Sequence, residues 1–285
     1  MRQIFSPALA TLAVFTVLAA APPVARAQEA IASPWLDFRE AKVRLIAAKT
    51  DARNTVLVAG LEVRLAPGFK TYWRTAGDSG VPPLFDFSQS TGFEAIEVHY
   101  PFPVSFDDGA GGKAWGYTRD IVLPVSGRRL DPAAVINLKL DFAVCGTMCI
   151  PLSGALTLDP AKAAALSAPE AQALDLARLA LPTVLAEDAS PALKIRRLTP
   201  ADPPLWHVRL PFRGEAAAFA AFPEARGFLE ITEVMPDGDG FVRVTIAGQA
   251  APGAGGRFGP VRLTYGKSGA AFERMIDLDG AASSP

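Results

Sequence analysis

The fold of this chain is decided by the stretch Val135-Ile-Asn-Leu-Lys-Leu-Asp-Phe-Ala-Val-Cys145-Gly-Thr-Met-Cys149-Ile-Pro-Leu-Ser-Gly-Ala-Leu-Thr-Leu158. Apolar residues alternate with polar or small ones on both sides of the two cysteines, which is the period-2 pattern of a half-buried β-strand. The alternating apolar positions are Ile136, Leu138, Leu140, Phe142 and Val144, then Ile150, Leu152, Leu156 and Leu158. Two strands joined by Gly146-Thr147-Met148 would form a hairpin with the cysteines facing each other across its mouth.

A bridge between Cys145 and Cys149 requires such a turn. Four residues of extended chain span roughly 13 Å, whereas a disulfide needs Cα atoms within about 7 Å of each other. Gly146 supplies a residue that tolerates a positive φ in the turn. A helix would also bring the two cysteines together, but Pro151 and the alternating flanks argue against it. We therefore predict a hairpin.

The first residues are typical of a secretory signal peptide. Arg2 gives a short positive region, residues 9–21 are apolar, and Ala25-Arg26-Ala27 fits a signal-peptidase site, so residues 1–27 are predicted to be removed. The mature chain would begin at Gln28 and lie in the periplasm. No later stretch approaches the ~20 apolar residues that span a bilayer, so we expect no membrane span after cleavage.

Charge and cysteine content narrow the function classes. The 285-residue chain has 28 Lys and Arg against 29 Asp and Glu. Loss of Arg2 and Arg26 with the signal peptide changes the net charge from −1 to −3. This balance gives no indication of nucleic-acid or anionic-membrane binding. Two cysteines allow one disulfide, so the chain is not a disulfide-rich scaffold.

The first half of the chain is predicted to be a β-domain, residues 28–159. Apolar and charged residues alternate between Trp35 and Leu65, and the aromatic run Phe69-Lys-Thr-Tyr-Trp-Arg74 indicates a further strand. Residues 101–116 are rich in Pro, Gly and Asp, which predicts a long loop that could act as a lid. Additional strands are predicted at residues 95–100 and 121–125.

Composition changes after this domain. Residues 160–181 are alanine-rich and fit a helix interrupted at Pro169, so a helical connector is predicted over residues 160–190. Short apolar runs separated by Gly and Pro then predict a second β-sandwich over residues 191–285. These runs are residues 193–198, 205–210, 228–232, 241–247, 261–265 and 272–278. The second half has no cysteine and no recognisable chemical motif.

A close cysteine pair in an exported protein has several uses. As a structural staple it would remove only about 2 kcal/mol of unfolded-state entropy, because the closed loop is short. As a redox couple it could be attacked by a partner thiolate through a mixed disulfide. As a metal site, Cys145, Met148 and Cys149 offer soft sulfur ligands suited to Cu(I), and His99 could join them if the fold brought it close. The sequence pattern leaves the three uses open, and it predicts no other cofactor.

Several motifs together resemble a known family, the N-terminal periplasmic domain of the thiol:disulfide interchange protein DsbD and its relatives in the copper-sensitivity-suppressor ScsB group. The resemblance covers about residues 35–159. Its motifs are Gly68-Phe-Lys-Thr-Tyr-Trp-Arg74, Gly77-Asp-Ser-Gly-Val-Pro-Pro83, Phe106-Asp-Asp-Gly109, Trp115-Gly-Tyr117, Ile121-Val-Leu-Pro124 and Leu140-Asp-Phe-Ala-Val-Cys-Gly-Thr-Met-Cys-Ile-Pro151.

The resemblance implies an immunoglobulin-like β-sandwich whose Cys145–Cys149 disulfide relays electrons, as part of a protein-disulfide reductase system. It implies that Cys149 engages the partner and Cys145 resolves the mixed disulfide. A cap loop, residues 106–112, would shield the pair. The cap and second-shell positions implied are Phe106, Asp107, Asp108, Trp115 and Tyr117, with the two aspartates near the thiols, where carboxylates raise thiol pKa values.

The resemblance also implies the partners: periplasmic thioredoxin-fold proteins and a membrane electron donor. This sequence shows neither a multi-span membrane domain nor a thioredoxin domain, so the donor is expected to act in trans, as a separate polypeptide. The cysteine spacing is shorter than in the enterobacterial DsbD domain, so the redox potential is expected to differ. A Cu(I)-binding or copper-tolerance module and a non-redox assembly domain with a structural disulfide remain the alternatives.

Overall fold

A computed structural model describes residues 30–48, 55–109, 111–186, 193–198 and 203–284. Strands account for 58% of the structure and helix for 6%, which confirms the predicted all-β class. The predicted signal peptide, residues 1–27, and the mature start at Gln28 lie outside the described residues. Within these described ranges no helix has both the length and the hydropathy needed to cross a membrane.

The first half forms an immunoglobulin-like β-sandwich of two sheets. Its strands are β1 (Ala30–Ala32), β2 (Leu36–Asp37), β3 (Ala41–Ala48), β4 (Val56–Leu65), β5 (Lys70–Gly77), β6 (Leu84–Asp86), β7 (Phe93–Val98), β8 (Val104–Asp107), β9 (Lys113–Tyr117), β10 (Ile121–Arg129), β11 (Ile136–Cys145), β12 (Cys149–Leu158) and β13 (Ala164–Ala165). One sheet has the order β13-β1-β3-β4-β10-β7, with β2 paired to β3. The other has the order β12-β11-β5-β9-β8, with β6 paired to β11. We call the second sheet the cysteine sheet.

The core lies between these two sheets, as their alternating patterns require. Leu45 and Leu61 from one sheet and Leu138 and Leu140 from the other are no more than 1% exposed and belong to one apolar cluster. Strands β11 and β12 pair without interruption from Ile136 opposite Leu158 to Cys145 opposite Cys149. This register confirms the predicted hairpin and places its mouth at one end of the cysteine sheet.

The long loop predicted for residues 101–116 is wrong. Strands β8 and β9 occupy half of this segment and pair from Val104 opposite Gly116 to Asp107 opposite Lys113. Only the turn between them is rich in glycine. Strand β9 also pairs with β5, and this tertiary pairing overrides the weak local strand preference of the glycines. The predicted cap loop is therefore the tip of a β-hairpin, which we call the cap hairpin.

The helix is shorter than predicted and is not interrupted by Pro169. Helix α1 runs from Ala168 to Leu179 with the proline in its first turn, where a missing N–H costs no intrahelical hydrogen bond. The Glu170 carboxylate accepts hydrogen bonds from the Ser167 hydroxyl at 2.6 Å and the Ser167 N–H at 3.2 Å. The alanine-rich segment therefore begins its helix where the capping residues occur, eight residues after Pro160.

Helix α1 packs on the outer face of the first sandwich. Leu174 and Ala177 join an apolar cluster with Ile46 and Val122. Glu170 accepts a hydrogen bond at 2.7 Å from Arg44, whose guanidinium also bonds a second carboxylate on the same sheet. The helix therefore covers one face of the first sandwich. The exact boundaries of the connector, residues 160–190, stay a prediction.

The contact at Glu170 makes stability depend on pH. Hydrogen bonds from Ser167 and then Arg44 lower the pKa of Glu170 from 4.5 to about 2. A carboxyl with a depressed pKa stabilises the fold above its unfolded pKa and loses this contribution as the pH falls through the folded pKa. We expect Glu170→Gln to lower the free energy of unfolding at pH 7 and the deficit to shrink between pH 4.5 and about 2.

Urea titrations at several pH values measure this effect. Asp175→Asn is the matched control, because Asp175 is an exposed carboxylate on the same helix. The control should show no comparable pH-dependent deficit. An equal deficit for Glu170→Gln at pH 7 and pH 2 would contradict the role given to this carboxylate.

The second half forms another sandwich. Its strands are β14 (Thr183–Val184), β15 (Lys194–Leu198), β16 (Leu205–Pro211), β17 (Ala220–Glu224), β18 (Gly227–Pro236), β19 (Phe241–Ala250), β20 (Pro260–Lys267), β21 (Ala270–Asp277) and β22 (Ala282–Ser284). The sheets have the orders β14-β21-β20-β17 and β18-β19-β16-β15-β22. Trp206, Val244, Leu263 and Tyr265 are buried between them. Each of the six predicted strands is present, and β17 was missed because its sequence, Ala-Ala-Phe-Pro-Glu, contains proline and two alanines.

Strand β17 joins the two sandwiches. Phe222 is 1% exposed and belongs to the core cluster of the first sandwich. Its ring centroid lies 5.3 Å from those of Phe102 and Trp115 and 5.7 Å from that of Trp73. The two domains therefore share a buried aromatic contact.

An ion-pair cluster centred on Arg74 of β5 lies beside this contact. The Arg74 guanidinium is 2.6 Å from the Glu224 carboxylate and 2.5 Å from that of Glu273. Burial lowers the pKa of Arg74, but its hydrogen bonds and charge interactions with the two carboxylates outweigh burial and raise the pKa above its usual value. Strand β5 is consequently held by the second domain through both apolar and charged contacts.

Candidate redox site

The two cysteines form a disulfide at the mouth of the β11–β12 hairpin. The Cα atoms of Cys145 and Cys149 are 4.1 Å apart, a spacing close to that of a non-hydrogen-bonded antiparallel pair. Cys145 is 7% exposed, whereas Cys149 is exposed. Cys149 is therefore the cysteine that is exposed at the surface, and Cys145 is buried in the site.

The turn between the cysteines is shaped differently from the sequence prediction. Gly146 does not adopt a positive φ, so the conformational freedom proposed for it is not used. Its value is steric, because a Cβ atom here would lie 3.2 Å from Cε1 of the Phe69 ring. The Gly146 N–H donates to the carbonyl of Met148 at 3.2 Å, and the Met148 side chain is 71% exposed.

The hydroxyl of Tyr72, on β5, contacts both sulfurs of the disulfide. The hydroxyl oxygen is 2.7 Å from Cys145 Sγ and 3.2 Å from Cys149 Sγ. Disulfide sulfurs carry no hydrogen, so the hydroxyl is the donor. Burial, followed by the negative charge of Asp108, raises the pKa of Tyr72 above its usual value of 10.0. The hydroxyl consequently keeps its proton at neutral pH and remains a donor.

The site crosses the outer face of the cysteine sheet. Phe106 of β8, Ala114 of β9, Tyr72 of β5 and Cys145 of β11 belong to one small apolar cluster, separate from the core between the sheets. The Phe106 and Tyr72 ring centroids are 6.4 Å apart. The cap hairpin thus places an aromatic ring beside the tyrosine that contacts both sulfurs.

Polar contacts hold the tip of the cap hairpin to the segment that follows β5. Asp108 accepts hydrogen bonds from the Ser79 hydroxyl at 2.6 Å and from the Gly112 N–H at 2.9 Å. Asp78 accepts from the Lys113 N–H at 2.7 Å. A Cβ atom at Gly80 would lie only 2.5 Å from the Tyr72 ring. This segment and the cap hairpin therefore enclose Tyr72 from two directions.

The other predicted site residues are placed as follows. Asp107 is solvent-exposed and forms an ion pair with Lys113 at 2.6 Å, whereas Asp108 is the carboxylate whose charge acts on Tyr72. Trp115 packs against Trp73, with the ring centroids 6.4 Å apart, in the core between the sheets. Tyr117 is buried in the same core, and its hydroxyl donates to the Pro101 carbonyl at 2.8 Å. The structure brings Phe106 and Asp108 to the Tyr72 side and leaves Trp115 and Tyr117 on the other face of the sheet.

Tyr72 was the site residue that sequence reasoning missed. It lay inside the motif Phe69–Arg74, but nothing in the local pattern distinguishes it from Trp73. The signal that could have found it is strand alternation, since Tyr72 and Trp73 must point to opposite faces of β5.

The fold does not bring His99 to the cysteine pair as a further Cu(I) ligand. His99 Nε2 lies 2.6 Å from the Ser126 hydroxyl, in the other sheet. Across the part of the chain that the structure describes, no group of three or more His, Cys, Asp or Glu side chains is placed to hold a metal ion. Cu(I) binding by Cys145, Met148 and Cys149 of the reduced protein stays a prediction.

The disulfide, with one exposed cysteine, therefore lies on an immunoglobulin-like sandwich and beside a β-hairpin that carries Phe106. Residues 41–160 match the family described as thiol:disulfide interchange protein DsbD, N-terminal. This match confirms that the segment carrying the quoted motifs is similar to the DsbD N-terminal domain, as the sequence predicted.

A solved structure extends the likeness beyond this domain. The N-terminal periplasmic domain of ScsB from Proteus mirabilis is 23% identical, with a TM-score of 0.68, over 87% of this chain and 98% of that one. This coverage exceeds the family match and shows that the two-sandwich fold is shared. The yeast GGA1 GAE domain gives a TM-score of 0.28 at 12% identity over 46% of this chain and 98% of that one, too low to inform the fold. No curated protein sequence matches the chain.

Proposed function

We propose that this protein is a periplasmic electron relay that exchanges its Cys145–Cys149 disulfide with thioredoxin-fold partners. The observation that carries the proposal is the asymmetry of the disulfide. Cys149 is exposed at the end of an edge strand, whereas Cys145 is buried against the Tyr72 hydroxyl. A partner thiolate can therefore approach one sulfur, while the protein has a hydrogen-bond donor ready for the other.

The reaction has two steps that balance in electrons. A partner thiolate attacks Cys149 Sγ, forming a mixed disulfide and releasing Cys145 as a thiolate. The Tyr72 hydroxyl donates to this sulfur and stabilises its developing negative charge. The second thiolate of the partner then attacks the mixed disulfide and releases Cys149. The partner is oxidised to a disulfide, the protein is reduced by two electrons, and the two thiolates take up protons according to pH.

The cap hairpin is proposed to gate this reaction. Phe106 and Asp108 lie on the Tyr72 side of the site, and Asp108 is tied to Ser79. A negative charge near a cysteine pair raises thiol pKa values and makes the thiols less reactive toward chance oxidants. Docking of a partner would displace the tip of the hairpin, residues 106–112, and expose the disulfide.

The location and the partners follow from the same inference. The predicted signal peptide, residues 1–27, directs the chain to the periplasm. The solved relative is, by its description, a periplasmic domain. A membrane protein would supply electrons in trans, and thioredoxin-fold proteins would exchange them with the Cys145–Cys149 couple.

An exchange assay tests the proposal. The oxidised protein is mixed with a reduced thioredoxin-fold protein, and the redox state of both is followed by alkylation of free thiols. We expect transfer of one disulfide equivalent to the partner. Cys149→Ser is the matched control and should transfer none. Failure of the native protein to exchange with any thioredoxin-fold protein tested, while small-molecule thiols reduce its disulfide, would refute the relay.

Replacement of Tyr72 by phenylalanine tests the hydrogen bond separately. The ring is retained, but the donor to the Cys145 thiolate is lost, and a hydrogen bond to a charged group contributes about 1.5–3 kcal/mol. We expect the lower apparent thiol pKa of the reduced pair to rise by about 1–2 units, with slower exchange at pH 7. Thiolate absorbance measured against pH provides the readout. Tyr100→Phe, whose ring lies in the core cluster, is the control and should leave the thiol pKa unchanged.

A further inference from the structure

Lys70 lies directly opposite the buried cysteine. In the pairing of β11 with β5, Cys145 is the register partner of Lys70. Residues directly opposite each other in antiparallel strands project to the same face, with Cβ atoms about 4.5–5.5 Å apart. Tyr72 is two residues further along β5 and therefore shares this face. Lys70 and Tyr72 consequently lie on the same face of the sheet as Cys145, and the Tyr72 hydroxyl contacts the Cys145 sulfur.

The ammonium group of Lys70 is held near the site by the cap hairpin. Lys70 is half-buried, and its Nζ atom lies 4.7 Å from the centroid of the Phe106 ring. A cation at this distance over an aromatic face is attracted by the ring quadrupole. The Phe106 ring in turn neighbours Tyr72. The Lys70 ammonium therefore lies over the ring that packs against the cluster of Tyr72 and Cys145.

The ion pairs formed among the described residues do not include Lys70, whereas Lys113 of the cap hairpin pairs with Asp107. The disulfide opposite Lys70 is neutral in the oxidised protein and becomes anionic when Cys145 is released as a thiolate. An uncompensated cation beside a group that acquires negative charge is the arrangement that lowers a thiol pKa.

We propose that Lys70 is the counter-ion of the Cys145 thiolate and thereby promotes departure of Cys145 when a partner attacks Cys149. This role deepens the proposed relay and rests on it. In the step, the Cys145–Cys149 bond breaks, the partner–Cys149 bond forms, and the electron pair remains on Cys145 Sγ, where the Tyr72 hydroxyl and the Lys70 ammonium face it.

The charged groups around the Cys145 sulfur have opposite effects on the pKa of its thiol. Lys70 and Tyr72 approach from β5, and Asp108 approaches from the cap hairpin, where its charge acts on Tyr72. The exposed Asp107–Lys113 pair belongs to the same hairpin. Strand β11 contributes Ala143, which has no charge, to the cluster. Displacement of the hairpin would remove Asp108 and the Phe106 ring while leaving Lys70 on the sheet.

The test uses Lys70→Met in the full-length mature protein. Methionine keeps an aliphatic side chain of similar length but removes the charge. The reduced protein is titrated from pH 5 to pH 10, and thiolate absorbance gives the apparent pKa values of the cysteine pair. An opposite charge within a few ångströms lowers a pKa by about 1–3 units, so we expect Lys70→Met to raise the lower apparent value by at least about one unit, a tenfold loss of thiolate at neutral pH.

Two further variants separate charge from structure. Lys70→Arg keeps the positive charge and should restore most of the thiolate population. Lys113→Met removes an exposed lysine of the cap hairpin and should leave the apparent pKa unchanged. Far-ultraviolet circular dichroism establishes that each variant is folded.

The outcomes separate this inference from the relay, because the titration requires no partner. An unchanged pKa in Lys70→Met, or an equal rise in Lys113→Met and Lys70→Met, would overturn the role of Lys70. A rise confined to Lys70→Met with rescue by Lys70→Arg supports it. If that pattern holds while the native protein exchanges with no thioredoxin-fold protein, the relay is refuted and the electrostatic role of Lys70 stands.

Discussion

Cys145→Ser is expected to form a stable covalent complex with a thioredoxin-fold protein, and Cys149→Ser is expected to form none. The first variant keeps the exposed Cys149 sulfur but lacks the thiol that would resolve a mixed disulfide. The second keeps only Cys145, which is 7% exposed and covered by Tyr72. Disulfide exchange requires in-line approach to the attacked sulfur, so burial should suppress reaction at Cys145.

The mixed disulfide is captured most completely when the partner also lacks its second cysteine. That partner retains only its exposed cysteine, activated as a mixed disulfide with an aromatic thiol, so neither protein can resolve the product. Non-reducing electrophoresis and mass spectrometry should show a one-to-one complex for Cys145→Ser. The double variant Cys145→Ser, Cys149→Ser is the control. Equal trapping by both single variants would contradict the asymmetry between the two cysteines, and trapping by Cys149→Ser alone would reverse their roles.

Phe222→Ala is expected to destabilise the protein by about 3–5 kcal/mol, the usual cost of removing a buried phenylalanine side chain. Phe222 belongs to the second domain but is buried among Phe102, Trp73 and Trp115 of the first. Its removal should leave a cavity that these rings cannot fill without moving strands. The loss should therefore weaken the first domain as well as the domain contact.

Urea unfolding followed by tryptophan fluorescence measures this effect, because Trp73 and Trp115 adjoin the substituted side chain. Phe228→Ala is the matched control, since Phe228 belongs to the same domain but is 47% exposed. Its effect should stay within about 0.5 kcal/mol. A loss below about 1 kcal/mol for Phe222→Ala would show that the aromatic contact between the domains contributes little.

The sequence predicted the features that depend on local periodicity. The alternation from Ile136 to Leu158 specified a hairpin and its register, because a slip of one residue would move the entire apolar face into solvent. The spacing of the cysteines then required that they meet at its mouth. The second sandwich was predicted for the same reason, from short alternating runs separated by turn residues.

The features that depend on pairing between distant strands were not predictable in this way. Tyr72 reaches Cys145 only because β5 lies beside β11, and those residues are 73 positions apart in the sequence. The cap was predicted as a loop because glycine and aspartate dominate its sequence, whereas its strands β8 and β9 pair with each other and β9 also pairs with β5. The resemblance implied a cap or second-shell position for Trp115, and the structure packs its ring against the core between the sheets.

The contact between the domains was likewise hidden from sequence analysis. Phe222 lies in a run of alanine and proline that has little strand character, and its contacts are with residues more than 100 positions away. Arg74 belongs to the recognised motif Gly68–Arg74, yet its partners Glu224 and Glu273 lie in the other domain. Strand β5 thus supplies both Tyr72, which contacts the disulfide, and Arg74, which forms ion pairs with the second sandwich.

The reduction potential of the Cys145–Cys149 couple tests the central claim most directly. The protein is equilibrated with dithiothreitol or glutathione buffers of known potential. The fraction of protein with reduced Cys145 and Cys149 is then measured after alkylation of the free thiols. Structural disulfides of secreted proteins have potentials below about −300 mV. A redox relay predicts a value above about −300 mV, within reach of thioredoxin-fold proteins. A value well below that limit would show that the bridge is a structural staple and would contradict the account.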